Sequence, residues 1–285
     1  MNYFAAFGAA VDAESADHAW QRLESRWWSQ RPIHQFSHRQ KIGNILPLLD
    51  GYTRIMDVTR GASVDGVLGV LAAGLGKQVT IISPSRNHIA ALERFAEVNG
   101  VDAGRIEFVH SGNRRFEELP VEPAQVVTAL HILEHAPHPR ALLGFLREHT
   151  IDRCVVAFPS CLNPTAWVRM GGGTDPYVFG RGSLPSAARG LVRTVAARIQ
   201  GRVSVTESVD EFGVDTVHRW FFPGVVLREL EWSGFHVERI SPDSLAIPWS
   251  NRAIEFSRTA QRWLPEAVTG RLGFGSHVVL RPVPA

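Results

Sequence analysis

The segment from Arg54 to Asn113 leaves few folds open to this chain. It begins with Arg54-Ile55-Met56-Asp57-Val58, a short apolar run holding one acid, and turns through Thr59-Arg60-Gly61-Ala62-Ser63. A helical pattern over 64–75 stops at Gly74 and Gly76, and a second apolar run, Val79-Thr80-Ile81-Ile82, stops at Ser83-Pro84-Ser85. A second helical pattern over 87–98 and a third run, Arg105-Ile106-Glu107-Phe108-Val109, close at Ser111-Gly112-Asn113. Runs of this length alternating with helices predict a parallel sheet, and parallel sheets bind ligands at the carboxyl ends of their strands. The alternation continues with strands near 126–130 and 154–158, a helix over 140–149, a sixth strand over 234–240 and a last strand over 277–281.

Two stretches stand outside this alternation. Residues 1–50 read as an N-terminal helical extension: Ser15 caps a helix carrying Trp20, Leu23 and Trp27 on one face, and a second helix runs over 38–49. The aromatic stripe is packing against the main domain or a lid over its cleft. Residues 160–215, with Gly171-Gly172-Gly173 and a helical stretch over 187–199, read as an insertion above the strand ends, where long insertions serve function. Trp27, Trp28, Trp167 and Tyr177 are the aromatic candidates for lining a substrate cleft.

Charge excludes one class of partner. Only Lys41 and Lys77 are lysines among 30 basic residues, the arginines are dispersed, and the net charge is +2. A nucleic-acid surface would need a basic block or stripe. Cys154 and Cys161 lack metal-ligand spacing and suit a reducing, cytoplasmic setting. No stretch reaches the roughly 18 apolar residues that a spanning helix needs, and no membrane partner is expected.

The order and wording of these segments resemble the class I S-adenosylmethionine-dependent methyltransferases, and among them the small-molecule enzymes of ubiquinone-pathway type. The likeness rests on Ile55-Met56-Asp57-Val58-Thr59-Arg60-Gly61-Ala62-Ser63, on Phe116-Glu117-Glu118-Leu119-Pro120, on Val127-Thr128-Ala129-Leu130-His131-Ile132-Leu133-Glu134-His135, and on Phe222-Pro223-Gly224 through Val237. The resemblance implies an α/β, doubly wound, Rossmann-like seven-stranded sheet, mostly parallel with an antiparallel last strand, built from residues 51–285. It also implies S-adenosylmethionine as cofactor, held by Asp57, Thr59, Arg60, Gly61, Ser63, Ser83, Gly112, Asn113 and His131.

The departures from the family pattern fall on those contacts. Of the three glycines in the first turn only Gly61 remains, and Thr59 and Ser63 replace the others. The acid expected at the end of strand two is Ser83, and the acid after strand three is Asn113. Strain at a Thr and a lost charged hydrogen bond sum to about 3–5 kcal/mol, two to four decades of affinity, as an upper bound. Arg60 and Ser83-Pro84-Ser85-Arg86 also suit a phosphorylated or carboxylate ligand, including a ribose phosphate.

His131-x-x-Glu134-His135 closes strand four. The related enzymes use this place for a divalent metal, but the pair Glu134-His135 also shapes the turn without one, and that bland reading leads; no metal ligand is assigned. His135 and, at the exit of the insertion, His218 are the candidate general bases, since an imidazole titrates near neutrality. Two functions remain: methyl transfer to a small molecule, or a methyltransferase-like protein with a regulatory, scaffold or other ligand-binding role.

Overall fold

A computed structural model of the chain describes residues 15–31, 35–62, 64–112, 114, 118–172, 182–211, 214–243, 245 and 251–284. Its main sheet is made of β1 (Arg54–Val58), β2 (Gln78–Ser83), β3 (Ile106–His110), β4 (Ala124–Leu130), β5 (Thr150–Pro159), β8 (Phe235–Pro242) and β9 (Gly275–Pro282). The spatial order is β3-β2-β1-β4-β5-β9-β8. The pairs from β3 to β5 are parallel, while β9 runs antiparallel to both β5 and β8. The expected doubly wound sheet with an antiparallel last strand is the one observed.

Both faces of the sheet are covered, which is why its inner strands read as continuous apolar runs. Successive side chains point to opposite faces. Ile55, Val126 and Val155 therefore join one apolar layer, with Val67, Leu68 and Val70 of α3 (Val67–Gly74) and Ala91, Leu92 and Phe95 of α4 (Arg86–Val98). Met56, Val127 and Val156 join the other, with α5 (Pro139–His149) and α8 (Pro223–Trp232).

The N-terminal helix α1 (Ala16–Trp27) starts where the sequence places it, with Ser15 accepting from the amide of His18. Trp20 and Leu23 are buried in the α3–α4 layer, and Trp27 meets Phe95 edge-on with ring centroids 5.7 Å apart. The second expected helix is broken into a π turn (Gln35–Gln40), the short α2 (Lys41–Ile45) and a 3-10 turn (Leu46–Leu49) holding Pro47. A proline cannot continue the α-helical bonding ladder.

After β5 the chain forms α6 (Pro164–Met170) and α7 (Ser183–Ile199), then a hairpin of β6 (Ser204–Glu211) and β7 (Val214–Phe221). The sequence reading saw only a helix here and no strands; the hairpin adds a strand pair that runs on to Phe221. Its strands mix acids and hydroxyls with apolar residues, and the pair stays outside the main sheet, joined to it by a bridge from Ser160 to Phe221. Two further helices, α9 (Asn251–Trp263) and α10 (Glu266–Leu272), lead into β9. No helix among the described residues is long and apolar enough to cross a membrane.

Candidate active site

The carboxyl ends of β1, β2 and β4 bring the first turn, Ser83 and the histidine cluster together. Thr59 does not fill the front of the turn: its amide and its Oγ1 both donate to Ile82 O, at 3.0 and 2.9 Å, and the side chain is buried. Gly61 sits at φ 82°, and a Cβ there would lie 2.9 Å from the ring of Pro84 and 3.1 Å from Ser83 Oγ. Only glycine accepts both the conformation and the approach. Asp57 faces inward, accepting from Thr128 Oγ1 (2.7 Å) and from the amide of Gly69 (3.1 Å). It ties β1 to β4 and to the start of α3. Burial pushes its carboxyl up to about 7, against those two hydrogen bonds.

Ser83 is also turned inward. Its Oγ lies 3.3 Å from Ser85 O and 3.2 Å from His88 Nδ1, and it is fully buried. Beside it, Ser111 Oγ at the end of β3 is buried with no hydrogen-bond partner among the described residues, next to Gly112 at φ 50°. Ser63, Asn113, Phe116, Glu117 and Tyr177 lie outside the described residues.

The densest polar cluster is one that the sequence reading only half found. His131, the one non-glycine residue with positive φ among those described (56°), has Nδ1 2.7 Å from Glu134 Oε1. Its Nε2 meets Lys41 Nζ and lies 3.3 Å from Asp243 Oδ2. Lys41 pairs with Asp243 at 2.9 Å, and His277 Nδ1 stands 3.3 Å from Asp243 Oδ1. Four separate segments thus meet: α2, the end of β4, the end of β8 and β9. Burial alone would raise the Asp243 carboxyl, but Lys41, His131 and His277 hold it well below its ordinary range. Glu134 is lowered in the same way by His131, again against burial. Burial and Lys41 work against the imidazolium of His131, yet Glu134 and Asp243 outweigh them and its pKa rises. Glu134 Oε2 is buried without a partner among the described residues.

Lys41, Asp243 and His277 were missed. Lys41 carried a faint signal, being one of two lysines in an arginine chain. Asp243 and His277 carried none, because only the antiparallel return of β9 beside β5 and β8 brings them to His131.

His135 and His218 sit one layer away, ring centroids 4.9 Å apart, with Trp220 beyond at 5.0 Å. His135 Nε2 is 3.0 Å from Arg60 Nη1, and Arg60 Nε donates to Asp65 at 2.9 Å. Burial first, then Arg60 and His218, drive the His135 pKa well below its ordinary value, so it is neutral at pH 7 and accepts from the guanidinium. His131, Glu134 and His135 do not aim at one point, and no group of three or more metal-ligating side chains converges among the described residues. Of the aromatic candidates, Trp27 and Trp28 pack on Phe95, and Trp167 Nε1 donates to Cys161 O at 2.8 Å.

An adenosyl group fits the backbone of this cradle better than its side chains. Gly61 and Gly112 leave the strand ends open to close approach, Thr59 is folded away, and Ser111 Oγ lacks a partner. The end of β2 offers the ribose no carboxylate, and Ser83 does not replace it. The same inward turn takes Ser83 away from a ribose phosphate.

No family model matches the sequence. A 95-residue stretch is 34% identical to the mitochondrial ubiquinone biosynthesis O-methyltransferase of Schizosaccharomyces pombe, and it covers 33% of this chain and 33% of that protein. The chain thus spans a third of the curated relative it matches. Magnesium protoporphyrin IX methyltransferase (ChlM) from Synechocystis PCC 6803, solved with bound S-adenosylhomocysteine, shares the fold at a TM-score of 0.55 and 13% identity, over 97% of this chain and 99% of that one. The [4+2]-cyclase SpnF shares it at a TM-score of 0.50 and 15% identity, over 87% of this chain and 82% of that one.

Proposed function

We propose that this chain, which has the fold of the class I S-adenosylmethionine-dependent methyltransferases, binds S-adenosylmethionine and methylates a small-molecule oxygen, nitrogen or carbon. The observation that carries this reading is the first turn. Gly61 is held left-handed at the carboxyl end of β1, with Asp57 bracing the turn from behind and the histidine cluster one strand away. Gly61, Ser111 and Gly112 would hold the nucleoside end through close approach and a free hydroxyl. Bound S-adenosylmethionine supplies a methyl group on a sulfonium, electrophilic without further activation.

The chain's part is to place an acceptor and manage its proton. We assign the proton to His131 rather than to His135 or His218. His131 is partly exposed and carries two carboxylates behind it, a pairing that lets an imidazole take up and hold a proton. His135 is buried, and burial, Arg60 and His218 all oppose its protonation, so it is the poorer place for a proton. His135 and His218 instead shape the wall beside the first turn.

The inward Ser83 favours a second reading, the same fold without methyl transfer, in which another small ligand occupies the strand ends. Calorimetric titration with S-adenosylmethionine and S-adenosylhomocysteine separates the two. Saturable binding that is lost in Gly61→Val supports the first; no heat at millimolar ligand removes it. If binding holds, His131→Asn should abolish methyl transfer in a mass-spectrometric product assay while leaving S-adenosylhomocysteine binding unchanged.

A further inference from the structure

We propose that α7 is an interfacial helix that lays its outer face on an anionic membrane surface. The helix is mounted inside out for a soluble domain. Ser183, Ser186, Gly190, Thr194 and Ala197 face the fold, while Leu184, Leu191, Val192, Val195 and Ile199 face solvent, between 39% and 81% exposed. The five fall at i, i+7, i+8, i+11 and i+15, one continuous stripe of a helix surface.

The roll of the helix is fixed by close backbone contact with α6 and the residue after it. A Cβ on Gly190 would lie 2.0 Å from Trp167 O, and one on Gly171 would lie 1.7 Å from Ser186 O. No larger side chain can be turned inward, so the stripe stays outside. A contiguous apolar patch held in water marks an interaction site.

Charge selects the occupant. No Asp or Glu occurs from Ser183 to Ile199, while Arg189, Arg193 and Arg198 lie on the helix and Arg202 follows it. Arg189 Nε donates to Gly171 O at 2.9 Å and Arg193 Nη2 to Thr206 O at 3.0 Å, and Arg198 lies over the Phe222 ring. Carbonyls and a ring orient these guanidiniums, and among the described residues no carboxylate neutralises them. A second copy of the face would set arginine against arginine. An anionic bilayer offers aliphatic depth for the stripe and headgroup charge for the flanks, and it asks for no shape match. The mode is a helix lying in the interface plane, which needs no spanning segment.

Co-sedimentation of the full chain with vesicles tests this, and the outcome does not depend on whether the chain transfers methyl groups. With vesicles of phosphatidylcholine containing about one-third phosphatidylglycerol, the chain should pellet at low salt and be released at high salt, and it should stay in solution with phosphatidylcholine alone. Leu191→Glu/Val195→Glu should cut the bound fraction at least about ten-fold, since it places carboxylates in the stripe. Ile199→Glu, at a site 81% exposed, provides a second variant whose melting temperature should match the parent. No pelleting with anionic vesicles, or equal pelleting of both variants and the parent, overturns the proposal. So does concentration-dependent self-association in the ultracentrifuge that Ile199→Glu abolishes, which would make the face a protein interface.

Discussion

The Asp57 carboxyl makes the stability of this fold depend on pH in an unusual direction, and Asp57→Asn should remove that dependence. Burial raises its pKa from 3.8 to about 7. Below about pH 4 it is protonated whether the chain is folded or not, so it makes no difference. Between pH 4 and 7 the unfolded chain gives up the proton while the folded chain keeps it, so stability falls as pH rises. Above 7 the loss is complete. At 1.36 kcal/mol per unit, the whole shift is worth about 4 kcal/mol, and the part between pH 5 and pH 8 about 3 kcal/mol. An asparagine fills the same space and titrates nowhere. It keeps one acceptor for Thr128 or Gly69 and loses the other, a cost of about 1 kcal/mol at every pH. Urea unfolding of both proteins at stepped pH gives the test. The variant should be less stable than the parent by about 1 kcal/mol near pH 3, within about 1 kcal/mol of it near pH 5, and more stable by about 3 kcal/mol at pH 8. Other titrating groups cancel in the difference between the two curves. Parallel curves across this range would refute the argument, because they would mean that Asp57 is ionised in the folded protein at an ordinary pKa.

Gly61→Ala should cost about 2–4 kcal/mol in urea unfolding, from a left-handed backbone and a Cβ pressed on the Pro84 ring. Lys41→Met takes away a cation that disfavours the His131 imidazolium, so the His131 Cε1 proton should titrate at higher pH by NMR; an unchanged midpoint would mean that Lys41 does not act on it. Leu23→Ala should cost about 2–5 kcal/mol, because the residue is fully buried between α1 and the α3–α4 layer, and an unchanged unfolding midpoint would show that α1 does not fold with the domain.

The inner strands were readable from the chain because both of their faces are buried along most of their length, so that short apolar runs such as Val126-Val127 and Val155-Val156-Ala157 mark them. The hairpin from Ser204 to Phe221 was not, because its strands mix acids and hydroxyls with apolar residues and hold no unbroken apolar run to mark them. The same logic separates the halves of the site. Asp57, Gly61, His131 and Glu134 sit in runs whose spacing marks them. Lys41, Asp243 and His277 come from segments up to 236 residues apart (277 − 41), and meet only because β9 turns back between β5 and β8. Ser83 shows the reverse failure. Its position in the sequence pointed to the ribose, but a hydroxyl is small enough to rotate into the fold and bond to Ser85 and His88, where a carboxylate would have been expensive to bury. A side chain that can satisfy itself internally is free to leave the ligand, so the loss of charge at that strand end also changed which way the residue faces. If S-adenosylmethionine binds, its ribose must then be held by backbone and by groups from outside β2. Ser83→Ala should for that reason leave its affinity within about two-fold, a difference of roughly 0.4 kcal/mol. A ten-fold loss in the same titration would show that Ser83 swings out to the ligand and that its inward pose belongs to the free protein alone.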